Sequence, residues 1–178
     1  YLLHKYQLAR PTIEPVQFFK HRPDNFPTIR LVQLAALYHN HINLFSKIIS
    51  APTVLEIYTI FQKATSPYWQ NHYLFDKESP KKSKTISKSF IDLIIINTIL
   101  PLRFVYAQNQ GKENIEELMK LLYEIKPEKN VVIDKFSTFG LKSQNAYETQ
   151  ALLQLKNEYC NKSKCLDCAI GIKLVRNN

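Results

Sequence analysis

Glycine is scarce in this chain, and its scarcity restricts the folds that the chain can adopt. Only three of the 178 residues are glycine, against nine prolines. Tight β-hairpin turns depend on glycine, because their central residues take positive φ angles that other residues resist. A fold of many short strands needs many such turns, so the composition disfavours one.

Apolar residues recur at helical spacing along most of the chain, as in residues 27–46 and 113–125. Thr53 followed by Glu56 resembles a capping box, and Asn145 followed by Glu148 repeats the pattern. Several of these segments are apolar on more than one face, so they must pack against each other. We therefore predict an all-α fold, a single multi-helix, bundle-like domain that comprises residues 1–178.

The most apolar segment extends from residue 86 to about residue 108. Pro101 should kink or break a helix there, because proline lacks a backbone N–H. The best uninterrupted candidate for a membrane span is residues 93–102, which contains Asn97 and Pro101 and is shorter than the ~20 residues a span needs. We expect no membrane partner. The chain begins with Tyr1 rather than Met, and we expect it to be a fragment of a longer protein.

The chain is basic, with 24 Lys and Arg against 15 Asp and Glu, a formal net charge of +9. Residues 77–88 are Lys-rich and contain Pro80, which predicts a mobile loop. A basic balance favours anionic partners such as nucleic acid, and a soluble cationic surface is the structural alternative.

Three cysteines, Cys160, Cys165 and Cys168, lie within a Cys cluster at residues 160–171. An odd number of closely spaced cysteines is a poor disulfide framework, and it fits a reducing, cytoplasmic location better. Thiolates at this spacing suit Zn²⁺ or an iron–sulfur cluster. The alternative is three free thiols packed in a small helical corner.

Arg22, Asn25 and Arg30 flank a predicted helix start and form a second candidate site. Two guanidinium groups and an amide near a helix N-terminus can hold a phosphate or carboxylate. The alternative is a structural clamp, in which the arginines satisfy backbone carbonyls or paired carboxylates where the chain turns.

A third set consists of four amide side chains within or beside apolar helices, namely Asn97, Asn145, Gln150 and Gln154. Buried amides must be hydrogen-bonded, so we interpret the set as a network that holds the helices in register. Contact with a substrate is the alternative.

Four stretches of this sequence resemble one bacterial family. They are residues 21–35 (with Arg-Pro-Asp-Asn-Phe-Pro), 68–73 (Tyr-Trp-Gln-Asn-His-Tyr), 94–101 and 145–171 (with Tyr-Cys and Cys-Leu-Asp-Cys-Ala-Ile-Gly). They are similar to the carboxyl-terminal half of the domain-of-unknown-function family 2851, chiefly known from Bacteroidota, for which no activity is established. The resemblance implies an absent amino-terminal half, which in the family weakly resembles a nuclease-type α/β core.

The resemblance also supplies a candidate for a fourth metal ligand, for which a residue of the absent half or water is the alternative. His72 lies in the family-like Tyr-Trp-x-x-His-Tyr string and is the best internal candidate to complete a set with Cys160, Cys165 and Cys168. Three Cys and one His are a complete tetrahedral set for Zn²⁺.

No nucleophile elbow, P-loop, dinucleotide fingerprint or His-Glu-x-x-His motif occurs in the sequence. The chain alone is therefore not expected to be a complete enzyme. We predict a binding and scaffold module that supports the absent half, in association with nucleic acid. The alternatives are a purely structural or interaction domain without metal, and part of a metal-dependent, nuclease-like enzyme.

Overall fold

The computed structural model describes residues 2–7 and 16–176. The chain forms two compact units. Unit 1 consists of Tyr1–Ile42 and Lys63–Ile86, and unit 2 of Asn43–Gln62 and Ser87–Asn178. The single-domain prediction stays a prediction, because compact units of one chain can share a domain.

The described elements are almost all helical, and their order along the chain confirms the all-α prediction. The α-helices are α1 (Leu2–Lys5), α2 (Pro27–Asn40), α3 (Leu44–Ser50), α4 (Val54–Phe61), α5 (Lys88–Ile94), α6 (Leu100–Asn109), α7 (Ile115–Glu124), α8 (Val131–Thr138), α9 (Ala146–Gln154) and α10 (Ala169–Arg176). Short 3₁₀ helices occupy Pro23–Asn25, Pro67–Asn71 and Cys165–Asp167, and π-helical segments occupy Ile95–Ile99 and Leu155–Cys160. Strands β1 (His72–Leu74) and β2 (Lys77–Glu78) pair antiparallel in one small sheet.

In unit 1, α2 and the small sheet are joined through Thr28. Helix α2 begins at Pro27, whose missing N–H costs nothing in a first helical turn. Two residues later the buried face starts with Ile29, and it continues with Gln33 and Leu37 at a spacing of four residues. The Thr28 hydroxyl donates to the Tyr73 carbonyl at 2.6 Å, so α2 and β1 are held together by a polar bond as well as by packing.

In unit 2, the predicted helix starts at Thr53 and Asn145 are confirmed. The Thr53 hydroxyl accepts a hydrogen bond from the Glu56 N–H at 3.3 Å, and the Asn145 side chain accepts one from the Glu148 N–H at 3.0 Å. Each bond satisfies one of the N–H groups that a helix start leaves without an intrahelical acceptor. The fully buried side chains of this unit are apolar except for Thr149: Ile57, Ile91, Ile95, Ile99, Leu121 and Ile125.

The buried Arg103 of α6 closes the carboxyl end of α3. Its guanidinium donates to the Ala51 carbonyl at 2.6 Å and, through Nε, to the Ile48 carbonyl at 2.9 Å. The last carbonyls of a helix have no intrahelical donor and carry partial negative charge, so a cation is well placed there. Burial lowers the pKa of Arg103, opposed by the attraction of Glu117.

Pro101 does not break the helix that contains it. The helix extends without interruption from Lys88 to Asn109, and the π-helical segment Ile95–Ile99 lies just before the proline. Proline removes one N–H and crowds the carbonyl four residues earlier, and a locally widened turn relieves both problems. The chain therefore absorbs Pro101 by widening instead of ending the helix.

The most apolar 18-residue window of this 22-residue helix has a mean hydropathy of 1.7, so the helix is long and apolar enough to cross a membrane by length and composition. The core helix of a soluble protein meets the same criterion. The expectation of no membrane partner stays a prediction.

Candidate functional site

The predicted anion-binding string folds as a 3₁₀ turn that leads into α2, and it brings two of its three residues together. The Arg30 guanidinium donates to the Asn25 side-chain oxygen at 2.6 Å and to the Gln33 side-chain oxygen at 2.9 Å. Burial lowers the pKa of Arg30, and the attraction of Asp24 opposes this effect. Arg22 precedes the 3₁₀ turn and is exposed, so it lies outside this pair.

Asp24 is the carboxylate of this region, and it bonds to two groups from the second segment of unit 1. Its Oδ2 accepts from Lys82 Nζ at 2.6 Å, and its Oδ1 accepts from the Tyr73 hydroxyl at 3.1 Å. The bond from Lys82 lowers the pKa of Asp24, and burial opposes it. Burial, followed by the bond to Asp24, raises the pKa of Tyr73. These two bonds connect Asp24 to residues that lie 49 and 58 positions later in the sequence.

Lys84 is buried, with only 3% of its surface exposed. Its ammonium donates to the Lys82 carbonyl at 3.2 Å and to the Gln70 carbonyl at 3.4 Å, and it lies 3.8 Å from the centroid of the Tyr73 ring. The Gln33 side chain in turn donates to the Lys84 carbonyl at 2.9 Å. Carbonyl dipoles and an aromatic face stabilise a cation, yet burial still lowers the pKa of Lys84.

A cavity of about 250 Å³ opens beside this network and is rich in lysines and hydroxyl groups. We call it the lysine cavity. The described residues that line it are Ala64, Thr65, Gln70, Lys81, Lys82, Ser83, Lys84 and Thr85, and none of them is acidic. Ammonium and hydroxyl donors bind phosphate or a similar anion. Asp24 lies outside this lining and engages Lys82, which leaves Lys81 as the exposed lysine of the cavity that Asp24 does not engage.

The predicted metal ligand His72 lies at the start of β1 in unit 1. It is buried, its ring stacks on the Tyr68 ring at 3.9 Å between centroids, and its Nδ1 is 2.8 Å from the Tyr68 carbonyl oxygen. A carbonyl only accepts, so the proton lies on Nδ1 and Nε2 is the nitrogen available to a metal. This is the arrangement that metal-binding histidines usually have.

The three cysteines lie in unit 2, around the turn that follows the second π-helical segment. Cys160 ends that segment and is exposed, Cys165 begins a 3₁₀ turn and is exposed, and Cys168 is buried before α10. The turn packs closely on α10, since a Cβ on Gly171 would stand 2.1 Å from the Cys165 carbonyl oxygen. Among residues 2–7 and 16–176, no three His, Cys, Asp or Glu side chains are arranged to hold a metal ion. The metal site stays a prediction from the cysteine spacing.

The lysine cavity depends on residues that the sequence analysis did not single out, chiefly Tyr73 and Lys84. One local signal points to Lys84. Lys84 stands two residues before Ile86, and residues two apart share one face of an extended segment. The structure shows this alternation, because Lys84 and Ile86 are buried while Thr85 and Ser87 are exposed. A lysine in register with a buried isoleucine is therefore a candidate buried cation. The predicted mobility of residues 77–88 stays a prediction.

Comparison with known proteins gives one match. A family model described as "Protein of unknown function (DUF2851)" matches residues 1–131 of the 178. No curated protein and no solved structure gives a significant match.

Proposed function

The chain belongs to the DUF2851 family, which has no established activity, and we propose that it is a binding module whose unit 1 holds phosphate groups of nucleic acid. The observation that carries this proposal is the lysine cavity, which has three lysines, three hydroxyl side chains and no acidic residue among its described lining. Its volume, about 250 Å³, is enough for one phosphate group but small for a nucleotide. The exposed Lys77 extends the same cationic segment outside the cavity.

Within the cavity, the three lysines have different roles. Lys84 is bonded to backbone carbonyls and Lys82 to Asp24, so both are held in place. Lys81 is exposed, and its ammonium is the group best placed to contact a phosphate directly. Such contacts release counterions, so the affinity should fall steeply as the salt concentration rises.

The test is titration of fluorescently labelled single-stranded and duplex DNA and RNA at two salt concentrations. Lys81→Gln should weaken binding of every sequence alike and reduce the slope of log affinity against log salt by about 1, the value for one lost phosphate contact. Lys142→Gln, which removes an equally exposed lysine from unit 2, is the matched control. Absence of binding at low salt would remove the proposal.

A purely structural role for the Arg22–Asn25–Arg30 string is the second candidate, and one observation supports it. Arg30 is engaged by Asn25 and Gln33, two neutral side chains of its own segment. Arg30→Gln should then lower the unfolding midpoint without changing nucleic-acid affinity. A large loss of affinity with unchanged stability would instead assign Arg30 to the binding site.

We further propose that the chain is the carboxyl-terminal half of a longer cytoplasmic protein of Bacteroidota. In that protein Cys160, Cys165 and Cys168 would bind Zn²⁺ or an iron–sulfur cluster, with the fourth ligand supplied by the absent half or by water. The cysteine spacing supports this proposal. Elemental and absorbance analysis of the full-length protein, purified without oxygen, is the test. A Cys165→Ser, Cys168→Ser variant with unchanged metal content would overturn it.

A further inference from the structure

Three of the four amides that the sequence analysis singled out line one groove in unit 2. Asn97, Gln150 and Gln154 share a cavity of about 630 Å³ with Glu128, Asn157 and Glu158. We call it the amide groove. Asn145 is elsewhere, as the cap of α9. Asn97 and Gln154 are exposed, so these amides are not the buried register network that the sequence analysis favoured.

Both π-helical segments in the described part of the chain contribute to the amide groove. Asn97 lies in Ile95–Ile99, and Asn157 and Glu158 lie in Leu155–Cys160. A π-helical turn is less stable than an α-helical one and is frequent at functional sites, because it redirects side chains that a regular helix would place elsewhere. Pro101 accounts for the first segment locally, whereas nothing in the local sequence requires the second.

Some N–H donors of the groove's amide side chains are already hydrogen-bonded within unit 2. Asn97 Nδ2 donates to the Leu93 carbonyl at 2.9 Å, and the Gln150 amide nitrogen donates to the Glu128 carboxylate. Asn97 and Gln150 therefore keep both lone pairs of their oxygens but only one N–H each. The Asn157 oxygen accepts from the Asn161 side chain at 3.2 Å and keeps one lone pair.

The carboxylates add further acceptors and no donor. Glu128 and Glu158 each use one oxygen, for Gln150 and for Lys162 respectively. Their other oxygens join the amide oxygens, so the groove has an excess of hydrogen-bond acceptors. Lys162 offsets the charge of Glu158, so the negative charge of the groove rests mainly on Glu128. Leu122, Ala151 and Leu153 supply apolar surface between the polar groups.

We propose that the amide groove binds an alkyl guanidinium or alkyl ammonium group. Such a group carries several N–H donors and no acceptor, which is the complement of this lining. Its methylene stem packs on apolar surface while its head binds the carboxylates. An anion is repelled by Glu128, and a wholly apolar ligand leaves the remaining carboxylate oxygens without donors.

The probe is agmatine, which joins a guanidinium and an ammonium through a short methylene stem. Its binding to the whole chain is followed by calorimetry and by amide chemical shifts at constant ionic strength. We expect saturable binding with shifts centred on residues 97, 150–158 and 128. Glutarate, an anion of similar length, should not bind.

Two variants test the contacts. Glu128→Gln removes the charge and should weaken agmatine binding by about tenfold or more. Gln154→Ala removes one amide oxygen from the groove and should also weaken agmatine binding. Because Gln154 is exposed, this variant should fold even if Glu128→Gln does not. Glu113→Gln, which removes an exposed carboxylate outside the groove, is the control and should bind agmatine as the parent chain does.

A second arm identifies the source of the group. N-acetyl-arginine amide presents the guanidinium as a protein side chain does. Tighter binding of N-acetyl-arginine amide than of agmatine would assign the site to an arginine of a protein partner. Tighter binding of agmatine would assign it to a free small molecule. The proposal is overturned if agmatine fails to bind, if glutarate binds equally well, or if Glu128→Gln and Gln154→Ala bind like the control.

Discussion

Lys84 shows how a single residue of a basic segment can differ from its neighbours. Lys77, Lys81 and Lys82 are exposed, whereas Lys84 is 3% exposed and bonded to two carbonyls. Removing the buried ammonium leaves the Lys82 carbonyl without a donor, whereas the Gln70 carbonyl keeps the Lys82 N–H at 2.7 Å. A buried carbonyl without a donor costs more than the bond itself contributes. Lys84 therefore stabilises the wall of the lysine cavity, and the exposed lysines are the ones that can contact an anion.

Lys84→Met should destabilise the chain by roughly 1–3 kcal/mol, because it keeps the apolar stem and removes only the donors and the charge. Lys81→Met at an exposed position should change stability by less than about 0.5 kcal/mol. Urea unfolding of both variants, followed by circular dichroism, is the measurement. Equal midpoints would contradict the buried role of Lys84.

Asp24 makes the stability of unit 1 depend on pH. Its pKa is below the ordinary 3.8, chiefly through the bond from Lys82. A carboxyl whose folded pKa is lowered stabilises the folded state above its unfolded pKa and loses that effect as pH falls through the folded value. The pair is exposed, with side-chain exposures of 54% and 56%, so the contribution is less than about 1 kcal/mol.

Asp24→Asn should therefore be less stable than the parent chain at neutral pH, and the difference should vanish as pH falls below 3.8 and through the lowered pKa. Unfolding midpoints measured across this range test the sign. Asp76→Asn, an exposed position in the same unit whose carboxylate has no such bond among the described residues, should show no comparable effect. A difference that grew in acid would contradict the assignment.

At the scale of elements, helix starts are secured by side chains that act over three residues or fewer. Asn130 begins α8 by accepting from the N–H groups of Val132 at 3.1 Å and Ile133 at 3.0 Å. Asn43 holds the same position before α3 but makes no such bond. The two asparagines therefore differ in role although both precede a helix.

Asn130→Ala should cost about 1 kcal/mol of stability, the usual effect of losing a side-chain cap. Asn43→Ala should cost clearly less, since it removes no capping bond. Thermal and urea unfolding of the two variants provide the comparison. A larger loss at Asn43 would show that capping does not control these helix starts.

At the scale of the whole molecule, positive charge is concentrated in unit 1. That unit has ten Lys and Arg against four Asp and Glu, a net +6, in 66 of the 178 residues. Unit 2 has fourteen against eleven, a net +3. The uneven distribution supports nucleic-acid binding by unit 1, because a concentrated charge attracts a polyanion more strongly than a dispersed one.

Two charge-matched double variants separate local from total charge. Lys77→Gln, Lys81→Gln in unit 1 and Lys135→Gln, Lys142→Gln in unit 2 each lower the net charge from +9 to +7 at exposed positions. The first pair should weaken nucleic-acid binding and reduce the salt slope by about 2, and the second should leave the slope nearly unchanged. Equal losses would mean that binding follows total charge without a site.

The sequence by itself determined the helical class, the capped starts at Thr53 and Asn145 and the family. These depend on composition, on bonds between residues three apart, or on strings of adjacent residues, all of which can be read locally. Only the tertiary structure decided that Arg30 bonds to Asn25 and Gln33, that Lys84 is buried, and that the amides of the groove meet. The burial of Lys84 and the shared groove of residues 97 and 157 both depend on how distant segments pack. The surroundings of a side chain come from the whole unit and not from its neighbours in sequence.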